Sequence, residues 1–209
     1  MALSNYTELK ASIADFLNRD DLTAVIPDFI TLAESQMNRD VRHMKMEARA
    51  SGQQDASDEY MQIPPDWLET IRLHLTGTGT TVVNLVSRDA MADKRAANEN
   101  ATGTPRMYTH ADSQFQLYPT PSTTTDFELL YYQKITPLSA TNSDNWLLQE
   151  APDVYLYGSL LHSAPYLAED ERVAVWAQMY SAAVMQLNEA SDTARYSGSG
   201  LTMKVRGLV

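Results

Sequence analysis

The amino-acid sequence predicts an α+β protein. Two N-terminal and two C-terminal helices form a helical core, a β-rich insertion lies between them, and an extended arm ends the chain. Three observations carry this reading. Apolar residues recur at helical spacing near both ends, the middle third switches to two-residue alternation broken by Gly, Pro and Thr, and the last residues lose both patterns while staying apolar. This order is not the alternating βαβ order of a parallel sheet, and no long-period repeat is present. The expected boundaries are 1–43 and 144–192 for the helical core, 44–143 for the insertion and 193–209 for the arm.

The first helix is expected to begin at Asn5, with Glu8 three residues on to close a capping box. Tyr6, Leu9, Ile13 and Phe16 then share one face. A second helix starts at Pro27, where a missing N–H costs nothing, and turns Phe29, Ile30, Ala33 and Met37 inward. Residues 45–50 alternate as a strand, 51–59 form an acidic loop, and 60–63 alternate again. Pro64, Pro65, Asp66 and Trp67 make a rigid turn. Ile71, Leu73 and Leu75 fall on one face of the next strand, Gly77 and Gly79 mark a hairpin, and residues 80–86 return. A short helix with Ser87 as cap carries Ala90, Met91 and Ala96 as modest apolar contacts. Strands around Tyr108 and over 115–118, a Pro/Ser/Thr turn, and a strand over 127–134 complete an insertion of about five to seven strands.

Helical spacing resumes after Pro137. One turn at 146–149 is capped from Ser143 or Asp144, and a helix from Pro152 runs to about Leu167, with Pro165 disturbing its end. Asp170 caps a long last helix. Val173, Ala177, Tyr180, Val184 and Leu187 make one stripe on it; Val175, Met179 and Ala182 make a second on another face. A helix apolar on two sides is buried on two sides, either by sandwiching within the fold or by a neighbouring subunit. After a Ser-Gly hinge at 197–200, residues 201–209 are apolar, with Lys204 and Arg206 the only charges. A frayed terminus is usually polar, so an arm that orders on a neighbouring chain is expected.

Composition narrows the functional classes. The chain has 209 residues, 44% of them apolar and 21% charged, enough for one large domain or two small ones with a core. The absence of cysteine excludes disulfides, thiolate catalysis and Cys-based metal centres. A formal net charge of −11 repels nucleic acid and anionic membrane as a whole. It serves solubility, or a surface past which DNA slides without sticking. No signal peptide is expected at MALSNYTELK, and no apolar run approaches the roughly 20 residues that span a bilayer. No membrane partner is therefore expected.

Catalytic patterns are missing where the sequence is richest. His43, His74, His110 and His162 lie far apart, with no metal-ligand spacing. The acidic group Asp55, Asp58 and Glu59 lacks the register of a calcium loop. Asp66 and Glu69 are an accidental pair, and Gly77 and Gly79 belong to neither a P-loop nor a dinucleotide fingerprint. No catalytic, cofactor or metal site is expected. The basic stretch Arg39, Arg42, His43, Lys45 and Arg49 is read as a contact for an acidic protein surface. Contact residues, in contrast, are abundant: there are eleven tyrosines. Tyrosine couples large area to a polar handle and is enriched at interfaces, although a tyrosine-rich core explains some of them equally well. The interface candidates are Tyr155, Tyr157, Tyr180 and, on the arm, Leu201, Met203, Lys204, Val205 and Arg206.

The runs YYQKITPLS (131–139), NWLL (145–148) and APDVYLYG (151–158) resemble the head-to-tail adaptor, or connector, proteins of tailed bacteriophages. So do IPDFITLAESQMNR (26–39) and PPDWLE (64–69). The resemblance spans most of the chain and brings no catalytic residue with it. It implies a structural virion protein in the neck between capsid and tail, assembled in the host cytoplasm. It implies a homo-oligomeric ring, commonly a dodecamer, that binds the portal protein and a tail protein (nozzle or tail tube). DNA passes through such a ring without specific binding. The alternative, drawn from the Thr- and aromatic-rich middle, is a carbohydrate- or host-surface-binding phage tail module.

Overall fold

A computed structural model describes residues 3–77, 79–167 and 171–197. The protein is α+β. Its α-helices are α1 (Tyr6–Leu17), α2 (Ile26–Asp40), α3 (Arg88–Ala97), α4 (Trp146–Glu150), α5 (Pro152–His162) and α6 (Arg172–Tyr196). Its strands are β1 (Glu47–Gln54), β2 (Tyr60–Gln62), β3 (Trp67–Thr76), β4 (Thr80–Leu85), β5 (Thr102–Gly103), β6 (Met107–Ala111), β7 (Gln114–Tyr118), β8 (Thr120–Pro121) and β9 (Thr125–Gln133). The chain divides into a helical unit, drawn from Met1–Lys45 and Ile135–Val209, and a sheet unit, Met46–Lys134. Among the described residues, no helix is long and apolar enough to cross a membrane.

In the helical unit, Asn5 Oδ1 accepts the Glu8 N–H at 2.9 Å and opens α1. Glu8 reaches one residue further back than a capping box requires, accepting from Ser4 N–H at 2.9 Å and the Ser4 hydroxyl at 2.6 Å. The helix ends where Asn18 turns left-handed at φ 51°. Leu9, Ile13 and Leu17 are its buried row. Phe16 was expected on this face and lies within its arc, yet in the last turn of the helix it is exposed. Phe29, Ile30, Ala33 and Met37 of α2 are all buried, as their spacing predicts. α4 is capped by Asn145, whose Oδ1 accepts from Leu148 N–H at 2.9 Å, not by Ser143 or Asp144. α5 stops at His162, short of the expected Leu167. Pro165 has no N–H to continue the ladder, so residues 164–166 tighten into a 3-10 turn. The Asp170 cap expected for α6 lies outside the described residues.

Gly158 marks where α5 meets its neighbours. A Cβ there would stand 3.1 Å from Met37 Cε of α2 and 3.2 Å from the Tyr180 ring of α6. Around this point α6 buries Trp176, Tyr180, Val184 and Ser191.

In the sheet unit, seven strands run in the order β1-β9-β3-β4-β6-β7-β2, and β5 pairs with β8 apart from them. Within the seven, all neighbours are antiparallel except β4 with β6, and β5 runs parallel to β8. Six of the seven place large residues in one cluster: Met61, Leu73, Leu75, Val83, Tyr108, Phe115, Leu117, Leu129 and Tyr131. The seventh, β1, adds only Ala48 and Ala50. These lie opposite Tyr131 and Leu129, and Gly52 lies opposite Phe127. A Cβ on Gly52 would stand 2.9 Å from the Phe127 ring, so glycine is what lets that ring lie against β1. β1 therefore runs on through residues expected to be loop. Ile71 was expected inward with Leu73 and Leu75 but is exposed. The pairing with β9 slips between Thr70 and Arg72, and one extra residue sends the side chains before it to the other face.

Candidate interaction surfaces

Two of the tyrosines expected at an interface lie inside the helical unit. Tyr155 is fully buried on α5. Its hydroxyl donates to Glu34 Oε1 at 3.2 Å and accepts from Asn145 Nδ2 at 2.6 Å. Glu34 is itself a buried carboxylate, a group sequence periodicity does not reveal, and its Oε1 also accepts from Leu138 N–H at 2.7 Å. Burial pushes the Glu34 carboxyl above its ordinary value, and burial beside Glu34 pushes the Tyr155 phenol up. Asn145 completes the cluster by donating to the Thr136 carbonyl at 2.7 Å. Asn38 Oδ1 accepts from Ile135 N–H at 2.8 Å. Together these bonds fasten residues 135–145 to α2 and α5.

Tyr180 is also buried, and its hydroxyl donates to an Asp40 carboxylate oxygen at 3.0 Å. Burial, then the Asp40 charge, push its phenol up. Neither Tyr155 nor Tyr180 offers area to a partner, since each ring fills its own fold. Tyr157 is half-buried. Leu201, Met203, Lys204, Val205 and Arg206 lie outside the described residues, as does the expected arm from residue 198 on; residues 193–196, expected to open it, continue α6.

Four residues of the basic stretch have partners within the chain; Arg39 is exposed. Lys45 pairs with Glu150, and Arg49 pairs with Glu128. Arg42 Nη1 donates to the carbonyls of Asn38 and Val41 at 2.9 Å and 2.7 Å. His43 stacks on Trp146 with ring centroids 5.0 Å apart. Two cations of the stretch, Lys45 and Arg49, thus meet carboxylates within the chain.

The other histidines sit in separate surroundings. His74 Nε2 lies 3.4 Å from Glu128 Oε1. His110 packs among Trp67, Tyr108 and Phe115. His162 Nε2 is 3.0 Å from Gln36 Oε1. Asp66, read beside Glu69 as an accidental acid pair, accepts from the Tyr131 hydroxyl at 3.0 Å. Burial and that carboxylate push the Tyr131 phenol up to about 12. Among the described residues, no group of three or more His, Asp or Glu could hold a metal ion.

α6 carries three large exposed apolar side chains on one face. Its buried row faces α5, while Val175, Met179 and Met185 on the far side are 51%, 48% and 56% exposed. At 100° per residue these three fall within about a third of the helix circumference, opposite Tyr180 and Val184. Ala182 lies among them and is half-buried. The two stripes read in the sequence are thus one covered and one bare. Met185 was missed because it follows Ala182 by three positions and stands at the margin of the second stripe. No curated protein matches the chain. A protein-family model described as SU10 adaptor protein matches it over residues 4–204.

Proposed function

The chain belongs to the SU10 adaptor protein family, and on that premise we propose that it is a head-to-tail adaptor that joins the portal to the tail of a bacteriophage particle. Copies assemble as a homo-oligomeric ring, a dodecamer in our reading, that extends the DNA channel below the portal. The family match supports this assembly role over the glycan-binding alternative. It also accords with a structural, non-enzymatic protein of the virion neck, assembled in the host cytoplasm.

The observation that carries the ring is the bare stripe of α6. Three large apolar side chains at helical spacing on one helix face suit a helix of the next copy, which would remove them from water at about 25 cal/mol per Å². Tyr157 and the arm residues Leu201, Met203, Lys204, Val205 and Arg206 are proposed to add to the same contacts. A channel lined by chains of net charge −11 repels the phosphate backbone and lets it slide.

The test is the double variant Val175→Asp, Met179→Asp. Both positions are exposed, so helix content and melting temperature should hold. Mass measured in solution, with and without portal rings, should show loss of the adaptor ring. Rings of unchanged mass on the portal would overturn the assignment of this face.

A further inference from the structure

We propose that the groove between α3 and the β6–β7 hairpin in the sheet unit is a docking slot for an acidic segment of a protein partner, with one carboxylate seated on Arg88. The groove has a volume of about 530 Å³, within the range of roughly 300–1,000 Å³ that specific pockets occupy. Met91 and Ala92 of α3 and Ala111 of β6 give it an apolar floor, and Gln116 of β7 adds an amide. A segment with an apolar residue beside its carboxylate fits such a lining.

Arg88 carries the argument. Its Nε–H donates to the His110 carbonyl at 3.1 Å, which orients the guanidinium plane. Among the described residues its two Nη groups make no hydrogen bond and no ion pair. A guanidinium already oriented, with its outer edge vacant, is built for bidentate binding of a planar carboxylate. Ordering a lone exposed arginine normally opposes such a bond, and here that ordering is already in place.

The other charges set how much negative charge enters. Arg95, seven residues on and so on the same helix face, is paired to Glu59 at 2.6 Å and adds little net charge. Burial and the nearby Arg88 push His110 below the ordinary imidazole range, so its ring is neutral near pH 7. Among the described residues, Asp112, at the hairpin turn, is the one carboxylate that lines the groove. It disfavours a second acid close by. The slot therefore takes one acidic side chain flanked by apolar ones, not a row of phosphates. On a chain of net charge −11, which turns acidic segments away elsewhere, that makes the site selective. This inference needs neither the ring nor the portal.

The experiment uses the full ¹⁵N-labelled chain at about 0.15 M salt. The probe is an acetylated, amidated octapeptide with a single glutamate flanked by leucines and serine at the other positions. The amides of residues 88–95 and 109–116 should shift along a saturating curve. The same octapeptide with glutamine in place of glutamate should bind roughly tenfold more weakly or worse, and so should the glutamate peptide to the Arg88→Gln variant. Ala92→Trp, which fills the slot from an exposed helix position, should abolish the response even if Arg88→Gln disturbs the hairpin. The proposal is overturned if those amides show no saturable shift. It is equally overturned if the uncharged peptide binds as well, if Ala92→Trp changes nothing, or if inorganic phosphate alone reproduces the shifts.

Discussion

Replacing Tyr155 by Phe removes one oxygen from the centre of the helical unit and leaves the ring in place. Two hydrogen bonds disappear, from Tyr155 to Glu34 at 3.2 Å and from Asn145 at 2.6 Å. Neither partner is orphaned. Glu34 keeps the Leu138 N–H, and Asn145 keeps the Thr136 carbonyl. The expected loss is therefore that of two buried bonds and not of stranded groups. A bond to a charged group contributes about 1.5–3 kcal/mol and a neutral one about 0.5–1.5, so the sum is about 2–4.5 kcal/mol. For a chain of this size that lowers the melting temperature by about 4–18 °C. Thermal unfolding followed by helix circular dichroism measures it. Tyr157→Phe on the same helix, half-buried, is the control and should stay within about 0.5 kcal/mol. A Tyr155→Phe protein that melts with the wild type would mean that these bonds do not fasten residues 135–145 to α2 and α5, and the account of that cluster would fail.

Further predictions follow from the same geometry. Glu34 has its folded-state carboxyl raised by burial, so its stabilising contribution is greatest below the unfolded value of about 4.3 and falls as pH rises through the folded one. Glu34→Gln should accordingly gain on the wild type between pH 4.5 and pH 7 in denaturant midpoints, and a constant difference would contradict this. Trp146 is half-buried against His43, so Trp146→Ala should cost about 2 kcal/mol, below the 3–5 of a fully buried ring. Gly158→Val forces atoms into a space already closed by Met37 and Tyr180 and should cost about 2–3 kcal/mol by equilibrium unfolding, with Gly79→Val, which meets nothing, as comparison. A gel-shift titration near 0.15 M salt should detect no duplex DNA binding, and tight, salt-sensitive retention would contradict the repulsive-channel reading.

The helices were legible because their large apolar residues repeat at helical spacing, as in Phe29, Ile30, Ala33 and Met37. The sheet was less so where its pattern is written in small residues. Ala48, Ala50 and Gly52 alternate toward the core, but alanine and glycine carry too little hydrophobic signal to mark a strand, and only Phe127 and Leu129 across from them explain the choice. Ile71 shows another limit: a bulge is set by pairing with a distant strand and cannot be seen in either strand alone. Among candidate contact residues, type misled where pattern did not. Tyr155 and Tyr180 suit an interface by chemistry, yet both lie on covered faces and use their hydroxyls inside. The second stripe of α6 was readable from spacing alone. Arg88 was not, because its orientation depends on a carbonyl 22 positions away.

The sheet unit enters and leaves the chain through two strands that are each other's partners. β1 and β9 lie antiparallel, with Glu47 opposite Tyr132. Its ends are therefore about 5 Å apart. Residues 38 and 135, within the helical unit, are held together by a bond of 2.8 Å. Such an arrangement makes the insertion a cassette. Cutting out residues 46–134 and closing the gap with a short turn leaves in place the contacts of Gly158 with Met37 and Tyr180 and of Tyr155 with Glu34 and Asn145, all within the helical unit. The surface the sheet offers is thus carried by a segment separable from the helices that pack around Gly158.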